Sequence, residues 1–287
     1  MVNASHAAGR PDSGGPLFCA RQFILGTALF VSSVLAMTHS QVTKAATQVT
    51  TKPYELCAAV QAKPFEPVRI QRVTDGDTVV LEDGRKVRII GINAPELSKK
   101  SEGKLRGEAQ AASALIQQMI SESTDAALVL GDDSKDRYGR VLGHIVFDRT
   151  RSLASELILH GLAAATAVSP NTRCAEHNLR METQARTKGL GIWQYPNNPW
   201  FAKSTGVKSI QGFHILTGLV EDVRKGKRYW EFQLANGILI RAKHSLLSSK
   251  DATDLQQKTV EVRGWFGRHD GFTSVRLHHR TNLTIQP

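Results

Sequence analysis

The sequence predicts a mainly β protein with helices: a five-stranded OB-like barrel that carries three helices, followed by a second small β-barrel. Two observations predict the first barrel. Short β-branched runs are separated by turn signals such as Asp83-Gly84, and amphipathic helical segments come between and after these runs. A third observation predicts the second barrel, because strand patterns without long helices return after the turn-rich segment 196–199.

The first barrel is expected between residues 66 and 200. Its predicted strands are 68–73, 78–81, 86–92, 125–130 and 141–147. The helical spacing of apolar residues predicts a first helix over 102–123. A second helix is expected over 153–160 after Ser152 as N-cap, and a third helix, with Asn171 or Thr172 as its cap, runs to Lys188.

The second barrel is expected over residues 205–287. Its predicted strands are 214–223, 228–235, 238–242, 259–266 and 273–279, with a short helical piece over 245–249. Asn236-Gly237 is typical of a type I′ hairpin turn. This pattern fits an OB-like barrel, and an SH3-like barrel is the alternative.

The first 65 residues are expected to lie outside both barrels. Arg10 and Arg21 precede the apolar run Phe23–Met37, which is shorter than the about 20 residues that a membrane span needs. We therefore interpret 1–40 as a signal peptide, with an uncleaved N-terminal anchor as the alternative, and 41–65 as a linker or lead-in. A periplasmic or secreted protein without a membrane span in its mature chain is expected.

Cysteine content and charge fit this interpretation. Cys57 and Cys174 remain after such a signal, so that a disulfide between them or two buried free thiols are both possible. The net charge of +11 favours a polyanionic partner, with nucleic acid ahead of an anionic membrane. A merely basic exported protein would show the same charge.

Chemistry-bearing residues gather in two stretches. The first carries DGDT at 75–78 and RIIGINAPE at 88–96, and the second is DRYGR at 136–140. Carboxylate and amide oxygens suit a hard cation, and two arginines suit phosphate oxygens. With GLA at 161–163, Pro170-Asn171 and GIW at 191–193, these motifs resemble the staphylococcal-type nuclease (thermonuclease) family over roughly residues 66–195.

The resemblance implies a Ca²⁺-dependent endonuclease, a hydrolase that acts on DNA and RNA, with no stable protein partner. It implies that Asp77, Asn93 and the main-chain carbonyl of Ala94 hold the metal. Asn93 departs from the Asp of the family pattern and removes a negative charge. The family's pair of tyrosines is also missing, since Thr166-Ala167-Val168-Ser169 stands in the aligned stretch.

The resemblance makes Glu96 the residue that orients or deprotonates the attacking water, and it assigns Arg88 and Arg140 to the scissile phosphate. The simpler alternatives are a surface glutamate and salt bridges such as Arg140 to Asp136. Arg137 and Tyr138 are expected near the nucleotide, although Tyr138 packed on the barrel is an equal alternative.

A second basic segment lies in the C-terminal barrel. Its residues interleave with aromatics and are candidate substrate contacts: Arg224, Lys225, Lys227 and Arg228, beside Tyr229-Trp230, with Trp265-Phe266 on a later hairpin. The alternative is a solvated turn whose aromatic residues face the core. Two other functions stay open: a nucleic-acid-binding protein of this fold without catalysis, and an envelope-associated interaction protein.

Overall fold

The computed structural model describes residues 56–97, 105–207, 209–269 and 271–287, and these lie in one compact unit. The N-terminal part of this unit contains nine short strands: β1 (Glu66–Val68), β2 (Ile70–Asp75), β3 (Thr78–Leu81), β4 (Lys86–Ile89), β5 (Ile92–Asn93), β6 (Ala126–Lys135), β7 (Val141–Phe147), β8 (Arg151–Ser152) and β9 (Ala164–Ala165).

Strand pairing closes the first barrel. The hydrogen-bonded order of the strands is β1-β6-β7-β4-β3-β2, so β1 and β2 lie at the two ends of the sheet. Only one residue separates β1 from β2, and together they act as one strand that connects these ends. The pair β4–β7 is parallel. The predicted five-stranded OB-like barrel is confirmed.

Helices cover this barrel and one lies in the second. They are α1 (Ala58–Gln61), α2 (Arg106–Glu122), α3 (Leu153–Leu159), α4 (Ala175–Thr187) and α5 (Ser249–Thr253), with 3₁₀ turns at Gly191–Gln194, Ser204–Gly206, Ala235–Gly237 and Arg280–Asn282. α2 buries Ala112, Ile116 and Met119 in the barrel core, at the helical spacing that predicted it.

The second barrel has the same strand order as the first. Its strands are β10 (Phe201–Lys203), β11 (Gly212–Lys225), β12 (Tyr229–Leu234), β13 (Ile238–Lys243), β14 (Thr259–His269), β15 (Phe272–Leu277) and β16 (Leu283–Ile285). The ring β11-β12-β13-β15-β14 closes because β11 also pairs with β14. The parallel pair β13–β15 corresponds to the pair β4–β7 of the first barrel. Along the chain, α5 lies between β13 and β14. The barrel is therefore OB-like.

Several helix boundaries differ from the prediction, including that of the first helix, which begins at Arg106, and hydrogen bonds explain two of these differences. The third predicted helix begins at Ala175, because the Asn171 side chain exchanges hydrogen bonds of 3.0 and 2.8 Å with the backbone of Asp133 and caps no helix. The short helix of the second barrel begins at Ser249, where the Ser248 hydroxyl accepts a hydrogen bond from the Asp251 amide.

Residues 56–65 are not the loose lead-in expected from the sequence. Leu56 and Val60 are buried beside Val129 and Val146 of the barrel. A disulfide joins Cys57, at the start of α1, to Cys174, at the start of α4. The predicted signal peptide and residues 41–55 lie outside the described residues. None of the described helices is long and apolar enough to cross a membrane.

Apolar and charged contacts join the two barrels. Leu105 and Ile192 pack with Phe213 of β11 in one buried cluster. Beside this cluster, the buried Arg263 of β14 donates a 2.6 Å hydrogen bond to the buried Glu182 of α4. The second barrel is thus held firmly against the first, while the predicted division into domains at 200–205 stays a prediction.

Candidate functional site

The turn between β2 and β3 sets the base of the site. Gly76 is required there, because a Cβ at this position would lie 2.7 Å from the Ala94 Cβ and 2.9 Å from the Ala112 Cβ. The close approach lets the Ala94 amide donate to Asp77 Oδ2 at 3.2 Å, while Thr78 Oγ1 donates to Asp77 Oδ1 at 3.0 Å. Asp77 is consequently buried and fixed in position.

Arg88, on β4, reaches across to the same carboxylate. Its Nη2 lies 3.0 Å from Asp77 Oδ2 and donates to Asn93 Oδ1 at 3.3 Å. Its Nη1 donates to the carbonyls of Ile89 at 2.5 Å and Ile92 at 3.1 Å. Both terminal nitrogens therefore have protein partners, and the side chain is only 13% exposed.

Arg140 is held in a different way. Asp136 accepts hydrogen bonds from the backbone amides of Tyr138 and Arg140, and Gly139, at φ +78°, completes this tight turn. Arg140 Nε donates to Asp136 Oδ2 at 2.7 Å. Among the described residues, the Arg140 side chain hydrogen-bonds through Nε alone. The predicted ion pair with Asp136 therefore forms, but it leaves both terminal nitrogens of Arg140 for a ligand.

Electrostatics couple the two arginines. Burial lowers the pKa of Arg88, Asp77 acts to raise it, and the positive charge of Arg140 lowers it further. Burial acts to raise the pKa of Asp136, but the hydrogen bonds from Arg140 and Tyr138 outweigh it, so the pKa lies below its ordinary value. An anion bound by both guanidiniums would relieve their mutual repulsion.

Tyr138 stands at the surface rather than packed on the barrel. Its residue surface is 68% exposed, and the Arg137 guanidinium lies 4.8 Å from the ring centroid. Arg137 Nη2 also donates to the Tyr138 hydroxyl at 2.6 Å, and Arg140 lies 5.6 Å from the ring centroid. Of the two roles considered for this tyrosine, its exposure favours a position near a ligand.

Glu96 follows Pro95 and is exposed. Just beyond it, the Leu97 amide donates to Asp75 Oδ1 at 3.3 Å, so Asp75 fixes the backbone that carries Glu96. Asp75 was not among the predicted site residues. The available signal was its place as the first acid of the DGDT motif, in the same turn as Asp77.

One cleft of about 1130 Å³ gathers these residues. Every predicted catalytic and metal residue lines it, and so do both candidate nucleotide contacts of the first barrel: Asp77, Arg88, Asn93, Ala94, Glu96, Arg137, Tyr138 and Arg140. The cleft continues through Pro199 and Trp200 onto the second barrel, where it is lined by Gln211, Gly212, Phe213, His214 and Trp265. Of these residues, only Trp265 was singled out from the sequence.

The predicted basic contacts of the second barrel do not line this cleft. Arg224, Lys225, Lys227 and Arg228 surround the tip between β11 and β12, whereas Gly212, at the other end of β11, lies in the cleft. A strand of this length extends about 40 Å along its path. Arg224 is also paired with Asp222 at 2.6 Å. Their role in substrate binding stays a prediction.

The oxygen atoms near Asp77 are of the kinds that can hold a metal ion. No group of three His, Cys, Asp or Glu side chains suited to a metal occurs in the described part of the chain. However, Asp77 Oδ2 and Asn93 Oδ1 both lie within reach of the same Arg88 nitrogen, and Ala94 follows directly. Carboxylate, amide and main-chain carbonyl oxygens are ligands that Ca²⁺ accepts together.

Comparison with known proteins adds an independent line of evidence. Residues 86–195 match the family described as Staphylococcal nuclease homologue. Endonuclease YhcR of Bacillus subtilis (strain 168) is 27% identical over 45% of this chain and 11% of its own length. The SPbeta prophage-derived endonuclease YokF of the same organism is 29% identical over 46% of this chain and 45% of its own length. Protein ParB of Escherichia coli is 28% identical over 46% of this chain and 75% of its own length. The chain thus spans less than half of the first two relatives.

Proposed function

We propose that this chain is a nuclease that hydrolyses phosphodiester bonds of DNA and RNA, since residues 86–195 match the staphylococcal nuclease-type family. The observation that carries the proposal is the common cleft. Two arginines, a buried aspartate and an exposed glutamate line it together. Such groups can serve phosphodiester hydrolysis, in which a water must lose a proton while charge grows on the phosphoryl oxygens.

Arg140 and Arg88 would bind the scissile phosphate. The terminal nitrogens of Arg140 have the fork geometry that binds two phosphate oxygens at once. Arg88 would have to release part of its hydrogen bonding with Asp77 and Asn93 to do the same. Binding of the phosphate would therefore exchange protein contacts of Arg88 for substrate contacts.

Glu96 would take the proton of the attacking water. Its exposed position in the cleft gives water access, and Asp75 restrains the backbone that follows it. A general base typically contributes a factor of about 10²–10⁴ in rate. Asp77, Asn93 and the Ala94 carbonyl would hold Ca²⁺, which when bound neutralises negative charge on the phosphate.

Export to the periplasm or the extracellular space is part of the proposal. It is supported by the charged and apolar pattern of residues 1–40 and by the disulfide between Cys57 and Cys174, since disulfides persist in oxidising compartments.

A binding protein of the same fold without catalysis is the second candidate. Asn93 supplies one negative charge fewer than an aspartate, and its oxygen is already bonded to Arg88. Both features would weaken a metal site without removing the phosphate-binding arginines.

Digestion of long DNA and RNA by the purified protein, with Ca²⁺ and with a chelator, separates the candidates. The nuclease proposal predicts degradation that requires the metal. Salt-sensitive retention of DNA on a gel, with no degradation in any divalent metal, would favour the binding protein.

A further inference from the structure

We propose that Trp265, on the second barrel, is a nucleobase-stacking residue of the cleft. This inference rests on the proposed function for the identity of the ligand, a single nucleic-acid strand whose phosphate reaches Arg140. It assigns to the second barrel a direct part in substrate binding at the site, apart from the basic tip between β11 and β12.

Trp265 is exposed where its strand neighbours are not. Gly264 and Phe266 on either side of it are buried, whereas Trp265 keeps 46% of its surface exposed and lines the cleft. Leaving a large aromatic side chain in water forgoes much of the stabilisation that burial would provide. An exposed aromatic ring in a cleft that also contains arginines is instead suited to a planar ligand.

Aromatic packing fixes the orientation of the indole. Trp265 is paired with Phe213 across the β11–β14 ladder, and their ring centroids lie 5.2 Å apart in an edge-to-face arrangement. Phe213 is buried and meets Trp200 at 5.0 Å, also edge-to-face. The exposed ring therefore packs against Phe213, which Trp200 contacts in turn, and it loses little freedom when a ligand binds.

The strand that carries Trp265 is anchored to the nuclease-type domain. Glu261, Arg263 and Trp265 alternate along β14, so their side chains project from the same face. Arg186 of α4 forms two hydrogen bonds with Glu261, of 2.8 and 2.9 Å, and Arg263 bonds the buried Glu182. This face therefore points toward α4, and Trp265 continues it into the cleft.

The same anchor extends toward the metal-binding residues. Arg263 Nη1 also donates to the Ala165 carbonyl at 3.3 Å, and the Ala165 amide donates to Glu182 Oε2 at 2.6 Å. Ala165 belongs to β9, whose partner strand β5 contains Asn93. The position of Trp265 is thereby tied to the residues that would act on the phosphate.

The rest of the cleft determines the class of ligand. Arg88, Arg137 and Arg140 supply positive charge, and the exposed Tyr138 supplies a second aromatic surface. At about 1130 Å³ the cleft exceeds the 300–1,000 Å³ typical of small-molecule pockets. Alternating phosphates and bases match a cleft that combines guanidiniums with aromatic rings, as in proteins that bind single strands.

Equilibrium binding of a cleavage-resistant phosphorothioate octanucleotide to the purified protein tests the proposal. Trp265→Ala is expected to weaken binding by about 5- to 150-fold, the range for loss of one stacked base. Trp265→Phe, which keeps a ring, is expected to lose much less. Phe272→Ala is the matched control, because Phe272 is equally exposed at 51% on the neighbouring strand but does not line the cleft.

Replacing one base of the octanucleotide at a time by an abasic residue isolates the stacking contact. In wild type, removal of the base at one position is expected to weaken binding. In Trp265→Ala, removal of the same base is expected to cause no further loss of affinity. Oligonucleotide binding is also expected to quench tryptophan fluorescence more strongly in wild type than in Trp265→Phe, where Trp200 is the other tryptophan that lines the cleft. Unchanged affinity in Trp265→Ala, or quenching of undiminished size in Trp265→Phe, would overturn the proposal.

These outcomes are separate from the fate of the nuclease proposal. A wild-type protein that binds the octanucleotide through Trp265 yet cleaves no nucleic acid would sustain the stacking site and reject the nuclease. Cleavage that proceeds with an unaltered KM in Trp265→Ala would sustain the nuclease and reject the stacking site.

Discussion

Replacing Arg140 by methionine is expected to remove most of the activity while lowering the stability only slightly. Arg88→Met should remove most of the activity and also lower the stability substantially. The two arginines would bind the same phosphate, but the protein holds them differently. Arg140 makes one side-chain ion pair, with Asp136, and its side chain is 32% exposed. Arg88 pairs with Asp77 at 13% and 12% exposure and also bonds two carbonyls.

The expected losses of stability follow from these contacts. A partly exposed pair such as Arg140–Asp136 contributes about 1 kcal/mol or less to the free energy of unfolding. Removing one partner of a buried pair costs about 3–5 kcal/mol, since Asp77 would keep its charge without its guanidinium. With a urea dependence of about 2 kcal/mol per molar, the unfolding midpoint of Arg88→Met should fall by about 2 M and that of Arg140→Met by less than about 0.5 M.

The expected loss of activity is large for both variants. Arginines that counter charge in phosphoryl transfer contribute about 10³–10⁵ in rate, or about 4–7 kcal/mol of barrier. Single-turnover cleavage of a labelled oligonucleotide measures this loss, and urea denaturation of the same preparations measures stability. Equal destabilisation by both substitutions, or near-wild-type cleavage by Arg140→Met, would refute the reasoning.

Three further substitutions test other parts of the molecule. Asn93→Asp adds a carboxylate beside Asp77, so calcium titration should show about 10-fold or greater tightening, and an unchanged affinity would contradict the assigned ligands. Replacing Cys57 and Cys174 together by serine should lower the free energy of unfolding by about 2–5 kcal/mol, whereas loss below about 0.5 kcal/mol would show that the bridge contributes little. Burial lowers the pKa of His144 to about 4, so the unfolded chain takes up this proton at higher pH than the folded chain does. The free energy of unfolding should therefore fall by up to about 3 kcal/mol between pH 7 and pH 4 on account of this residue, and His144→Leu should flatten that decline in urea titrations. An identical pH dependence in the variant would count against the burial argument.

The barrels could be predicted from the sequence because their signals are local. The predicted strands 78–81 and 141–147 are observed without change. Asn236 and Gly237 both have the positive φ that the predicted turn requires, although Leu234 pairs with Ile238 and leaves a three-residue loop, 235–237. Family motifs likewise identified residues that share one cleft, although they lie far apart in the chain. Local patterns gave a wrong prediction where a residue far away in the sequence determines the contact. Asn171 is an example, because its side chain hydrogen-bonds to the Asp133 backbone rather than capping a helix.

The part of the site on the second barrel could not be predicted in this way. Trp265-Phe266 was recognised as an aromatic pair, but the sequence does not say which of the two faces the core. The answer depends on the register of β14 against β11 and on the ion pairs of Glu261 and Arg263 with α4. The missing family tyrosines left base binding unassigned, and only the packing of the two barrels brings Trp265 to the cleft.

The most direct test of the central claim compares wild type with Glu96→Gln in Ca²⁺, measuring both single-turnover cleavage and binding of the same single-stranded substrate. The substitution keeps the size of this exposed side chain and removes its capacity to accept a proton. We predict a loss of cleavage of about 10²-fold or more with binding essentially unchanged. Cleavage at the wild-type rate by Glu96→Gln, or no cleavage by wild type itself, would contradict the account.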